Sequence, residues 1–88
     1  MGDLSDWRNR IDEIDEQLLE LFNKRAEHAI QIGRFKSQYN LPVYDPERET
    51  AIINHLCAIN KGPLSNEAVK RLFLFMFKES KRLENEES

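Results

Sequence analysis

A helical apolar repeat running through the first forty residues, with no proline to interrupt it, constrains this chain more than any other feature. Leu4, Trp7, Ile11, Ile14, Leu18 and Leu21, and further on Ile32 and Phe35, follow the three-and-four spacing of one helix face. Asp3 or Ser5 can cap the start, and Asp6, Asp12 and Glu13 suit the positive end of the helix dipole. Asn40, Leu41 and Pro42 end the helix, because a residue before proline resists the helical region. Such a helix is about 50 Å long at about 1.5 Å per residue. A compact globule of 88 residues has a radius of gyration of only about 12 Å. The remaining chain is too short to cover the rod, so a second copy is its economical cover: an intertwined homodimer with the long helices paired.

Two shorter helices follow. Asp45-Pro46-Glu47 is a strong helix start, with an acid at the N-cap and proline at the first helical position. Ile52, Ile53, Leu56 and Ile59 share a face of this second helix, which ends at Asn60-Lys61-Gly62-Pro63. Ser65 caps a third helix carrying Val69, Leu72, Phe73, Met76 and Phe77, which decays into the acidic tail Glu84 to Ser88. No segment alternates with the period of a strand. The expected fold is therefore all-α: a three-helix protomer with one very long N-terminal helix, residues 1–88 forming a single domain.

Composition narrows the function. Thirteen Lys and Arg against sixteen Asp and Glu leave a net charge of −3, which argues against nucleic acid as partner. No apolar run is long enough to span a membrane, and the start lacks the pattern of a secretory signal. One cysteine, Cys57, excludes an internal disulfide and fits a reducing cytoplasm; placed among Ile53, Leu56 and Ile59, it reads as a buried structural thiol. Cys57, His28 and His55 have no zinc-site spacing, and the three glycines build no phosphate-cradling loop, so neither a metal nor an organic cofactor is expected.

The informative residues are polar ones lying on apolar stripes. The repeat in the first helix calls for apolar residues at 25 and 28, where the chain has Arg25 and His28. A charge there costs several kcal/mol if it is buried without a partner. Arg25 is therefore a paired core ion, an arginine whose head escapes to water, or a ligand-binding cation. Lys36, which by itself reads as a solvated lysine, lies eleven residues on and returns to within about 20° of the same face, with its Cα about 16 Å away. The two long side chains can converge on one small anion. Arg8 lies about 26 Å from Arg25 along the axis, too far to share a small ligand within one chain. In the second helix Arg48 shares a stripe with Ile52 and Leu56, and Glu49 with Ile52 and Ile53. In the third, Ser80 continues the apolar series and Glu84 follows at i+4. Polar groups at the ends of three apolar stripes are how a helical bundle builds an internal polar pocket. With several cations and no nucleophile–base pair, such a pocket suits a small polyanion such as a dicarboxylate, acted on by positioning and electrostatic stabilisation.

Over Leu4 to Glu84 the chain resembles the all-helical class of chorismate mutases. The resemblance lies in Arg8-x-x-Ile11-x-x-Ile14-Asp15-x-x-Leu18-Leu19-x-Leu21, Arg25-x-x-x-Ala29-x-x-Ile32-Gly33-x-x-Lys36, Leu41-Pro42-Val43-Tyr44-Asp45-Pro46-x-Arg48-Glu49, Gly62-Pro63-Leu64 and Ser80-x-x-x-Glu84, in order and at the family's spacing. It implies an intertwined dimer with two sites and the cofactor-free pericyclic rearrangement of chorismate to prephenate, a step towards Phe and Tyr. It also implies residue roles. Arg25 would bind a substrate carboxylate, and Arg8 would enter from the partner chain. Lys36 would contact a carboxylate and the ether oxygen whose bond breaks, and Glu84 would contact that oxygen as well. Asp45 and Glu49 would border the substrate hydroxyl, with Arg48 and Ser80 completing the lining. Catalysis would thus fall to Lys36, Glu84 and Arg25. Some members carry Gln at the position of Glu84; an amide always donates a hydrogen bond, whereas a carboxyl group donates only when protonated. Two rival readings share the fold. Isochorismate pyruvate-lyase uses a similar cationic pocket, but the loop Leu41 to Asp45 looks more like the mutases. A non-catalytic dimer regulating a shikimate-pathway enzyme would have no need of these cations on apolar stripes.

Overall fold

The computed structural model describes residues 3–87, so Ser88 of the acidic tail lies outside the described residues. It contains three helices, α1 (Leu4–Gln38), α2 (Pro46–Ile59) and α3 (Asn66–Glu86), and no strand among the described residues. None of these helices is long and apolar enough to cross a membrane.

Each start follows from local chemistry. At α1 the two aspartates form a capping box: the Asp6 N–H donates to Asp3 Oδ1 at 3.0 Å, and the Asp3 N–H to Asp6 Oδ2 at 3.4 Å. Asp3, not Ser5, is therefore the N-cap. Asp45 Oδ1 accepts from the Arg48 N–H at 3.1 Å ahead of Pro46, and Ser65 Oγ accepts from the Ala68 N–H at 3.1 Å. Between α2 and α3 the Asn60 side chain donates to the Leu64 carbonyl and to Asn66 Oδ1, and accepts from the Gly62 N–H.

α1 runs to Gln38 with Tyr39 as its C-cap, so it stops at the expected Asn40-Leu41. Asn40 takes a left-handed conformation (φ 56°), the Leu41 N–H donates to the Lys36 carbonyl at 2.8 Å, and the Asn40 N–H donates to the Ser37 carbonyl at 3.4 Å. This is a Schellman stop, with asparagine in place of the usual glycine. α3 does not decay at Glu84 but continues to Glu86, because tertiary contacts hold its last turn: Glu84 is buried, and Arg34 Nε donates to Glu87 Oε1 at 2.7 Å. Cys57 is also less enclosed than expected. It is half-buried, with Sγ 3.9 Å from the Asn66 carbonyl, because α2 rests on α3 alone and keeps an open side.

α3 packs against both α1 and α2. It approaches α1 tightly at Gly33, where an added Cβ would lie 2.7 Å from Glu84 Cα and 2.9 Å from its carbonyl oxygen. Among the described residues only Ala29, Gly33, Phe77 and Glu84 are buried, and no large side chain is fully enclosed. Residues 3–24 are exposed throughout, so the first six turns of α1 project beyond the contact with α3. Leu4, Trp7, Ile11, Ile14, Leu18 and Leu21 form an uncovered stripe there. The chain measures 56 × 24 × 15 Å with a radius of gyration of 16.2 Å, well above the value of about 12 Å for a compact chain of this length.

Candidate active site

One cleft, with a volume of about 460 Å³, opens where the C-terminal half of α1, the start of α2 and the C-terminal half of α3 meet. Each helix lines it with one face. α1 supplies Arg25, His28, Ala29, Ile32 and Lys36; α2 and its N-cap supply Asp45, Arg48, Glu49 and Ile52; α3 supplies Phe77, Ser80, Lys81 and Glu84. In every helix the spacing is i, i+3, i+4, i+7, with Lys36 one turn further on α1. The cleft is thus the continuation of the apolar stripes after they turn polar.

Arg25 projects from α1 onto α3. Its Nη1 donates to Ser80 Oγ, and its guanidinium carbon lies 5.6 Å from the centre of the Phe77 ring. Among the three expected roles for Arg25 it has a packed stem and a hydroxyl partner, without a protein carboxylate. Lys36 is not a solvated lysine. Its side chain is only 17% exposed, and Nζ donates at 2.9 Å both to Glu84 Oε1 and to the Val43 carbonyl. Glu84 in turn is 7% exposed, with Oε1 accepting from Lys36 Nζ inside the cleft. Glu49, on α2, pairs with Lys81 of α3 at 3.1 Å. Asp45 Oδ1 caps α2, and Arg48 stands on the exposed side of the cleft.

Seven of the eight sequence-derived site residues line this cleft: Arg25, Lys36, Asp45, Arg48, Glu49, Ser80 and Glu84. Arg8 does not; it sits exposed near the start of α1. Sequence reasoning missed Lys81 and the Val43 carbonyl. The signal for Lys81 was present, since Phe77, Ser80, Lys81 and Glu84 complete one helical face. The Val43 carbonyl had no signal, because a backbone acceptor is offered by the path of the loop and not by residue type.

Four cations (Arg25, Lys36, Arg48, Lys81) and three carboxyl groups (Asp45, Glu49, Glu84) face the cleft. Two of the carboxyls are matched to the lysines, whereas the ion pairs among the described residues engage neither Arg25 nor Arg48. Two guanidiniums are thus positioned to take carboxylates, for which their forked geometry is suited. Ser80 Oγ accepts from a cation that cannot serve as a base, so it has no means of becoming a nucleophile. The arrangement is that of a receptor for a small dianion, with an ammonium–carboxyl pair at one end.

Comparison with known proteins places this geometry in a family. The family model described as chorismate mutase type II matches residues 7–85. A bifunctional chorismate mutase/prephenate dehydratase from Neisseria gonorrhoeae is 50% identical over 66 residues, which is 75% of this chain and 18% of that protein. The chain spans about a fifth of the length of the bifunctional relatives it matches. The chorismate mutase of Thermus thermophilus (form II) superposes with a TM-score of 0.92 at 34% identity, covering 93% of both chains. The chorismate mutase of Helicobacter pylori, solved in complex with prephenate, superposes with a TM-score of 0.88 at 30% identity over 96% of this chain and 91% of that one.

Proposed function

The chain belongs to the type II chorismate mutase family, and from that premise we propose that it converts chorismate to prephenate, with the cleft as its active site. The observation that carries this reading is the convergence of Arg25, Lys36 and Arg48 with Glu84 in one cleft that has no nucleophile–base pair. The rearrangement is unimolecular: the ether C–O bond breaks as a C–C bond forms, and no group is passed to the protein. What the protein supplies is the folded conformer and stabilisation of the negative charge that grows on the ether oxygen.

The roles divide accordingly. Arg25, held by Ser80 and Phe77, takes one substrate carboxylate, and Arg48 contributes to the dianion's charge balance from the rim. Lys36 donates to the ether oxygen and to a carboxylate. Its hold on the Val43 carbonyl keeps the ammonium near the point where charge develops. Glu84, protonated, is the second donor to that oxygen. Glu49, bordered by Asp45, accepts from the substrate hydroxyl.

The site is completed by a second copy of the chain. The uncovered stripe from Leu4 to Leu21 and the near absence of a core within one protomer call for a partner of the same length and chemistry. In an antiparallel pairing of the α1 helices, Arg8 enters the other chain's cleft. Residues 1–88 act as one domain, and the lone Cys57 suits a cytoplasmic setting.

The test is direct. Purified protein in a strong chelator should consume chorismate and yield prephenate. Pyruvate, released from isochorismate and not from chorismate, would identify a lyase. A folded, dimeric protein inert towards both would leave only the docking role.

A further inference from the structure

We propose that Lys81 is a positioning residue that sets the Glu49 carboxylate for recognition of the substrate hydroxyl and cancels its charge beside a dianionic substrate; the proposal rests on the mutase reading above. Lys81 extends from α3 and its Nζ lies 3.1 Å from Glu49 Oε2 on α2. The same ammonium lies 4.6 Å from the centre of the Tyr44 ring, on the loop between α1 and α2. Three segments thus meet at one charge, and both members of the pair line the cleft.

Stability does not explain the pair. The side chains are 32% and 19% exposed, and partly exposed ion pairs contribute little to folding. Function explains it in two ways. A glutamate has three rotatable bonds, and a carboxylate that must meet a substrate hydroxyl loses that freedom on binding unless it is already held. The bond to Lys81 engages Oε2 and leaves Oε1 as the second acceptor. In addition, an uncompensated carboxylate would repel a dicarboxylate substrate, whereas a Glu49–Lys81 pair is neutral. Both effects act on binding more than on the chemical step, so Lys81 should influence KM while Lys36 and Glu84 govern kcat.

The experiment is a double-mutant cycle read by chorismate kinetics. Lys81→Met keeps the stem and removes the charge; it should raise KM about fivefold, as expected for a part-buried ion pair, with kcat within about twofold of the parent. Lys81→Arg should restore KM. In a Glu49→Gln background, which carries no charge to cancel, Lys81→Met should have no further effect. Should the methionine variant melt early, Lys81→Gln provides the same comparison. An unchanged KM in Lys81→Met overturns the proposal. So does an equal KM rise in the Glu49→Gln background, which would mean that Lys81 touches the substrate directly. A parent protein that leaves chorismate unchanged removes the mutase reading and this proposal together, whereas an active parent with a KM indifferent to Lys81 removes only the latter.

Discussion

Glu84 is the residue at which burial and chemistry meet. It is among the few buried residues of the protomer, it faces the cleft, and its Oε1 accepts from Lys36 Nζ at 2.9 Å. In its proposed role as a donor to the ether oxygen it must carry a proton, because an ionised carboxyl group only accepts. An ionised Glu84 would also place negative charge where the transition state accumulates it. Glu84→Ala, which removes the donor, should therefore lower kcat/KM about a hundredfold or more, the usual worth of one donor to a developing oxyanion. Glu84→Gln keeps a carbonyl oxygen for Lys36 and adds a permanent N–H donor. It should match or exceed the parent's kcat/KM for chorismate. A Glu84→Ala protein as active as the parent, or a folded Glu84→Gln protein inert towards chorismate, would assign Glu84 another role.

At the scale of elements, the α1–α3 contact is set by the absence of a side chain. Glycine within a helix is about 1 kcal/mol less favourable than alanine, so Gly33 in the C-terminal part of α1 needs a compensating reason. The reason is the backbone of Glu84, 2.7 Å from where a Cβ would stand. Backbone cannot swing aside as a long side chain can, so a methyl group here pushes α3 bodily away from α1. Gly33→Ala should destabilise the fold by about 1–3 kcal/mol despite its better helix propensity. It should also lower kcat, because the Lys36–Glu84 geometry depends on that approach. Thermal denaturation and steady-state kinetics check both. A variant more stable than the parent with undiminished kcat would show that the helices have room to spare.

The whole molecule is a rod without an interior of its own. Its long axis is 56 Å, its core amounts to a few residues, and the apolar stripe of α1 from Leu4 to Leu21 is bare. In the proposed dimer a second copy would cover that stripe and bring Arg8 into a site it cannot reach within one chain. Arg8→Ala and Arg25→Ala proteins should each be nearly inactive. When they are unfolded together and refolded as a mixture, half of the dimers are mixed, and each of these holds one site with both arginines. Activity should then return to about a quarter of the parent's, as two-fold symmetry requires. If heterodimers form, as mass spectrometry can establish, and no activity returns, Arg8 does not cross between chains.

What the sequence determined by itself was local. The helical repeat of α1, the acid–proline start of α2 and the serine cap of α3 depend on hydrogen bonds and contacts within three or four residues, so they can be read from neighbours in the chain. The polar interruptions at Arg25, Lys36, Arg48, Ser80 and Glu84 were equally legible, because a charge on an apolar stripe contradicts its surroundings wherever they fold. Asn40 was legible as a helix end, but the left-handed turn by which it ends α1 was not. Tertiary structure alone decided which interruptions meet. Arg25 finds Ser80 across 55 positions, and Lys36 finds Glu84 across 48. Glu49 meets Lys81 only because α2 and α3 pack side by side. Those meetings depend on how closely and in what register whole helices pack, set here by Gly33 against the Glu84 backbone, and helical periodicity carries no information about that register.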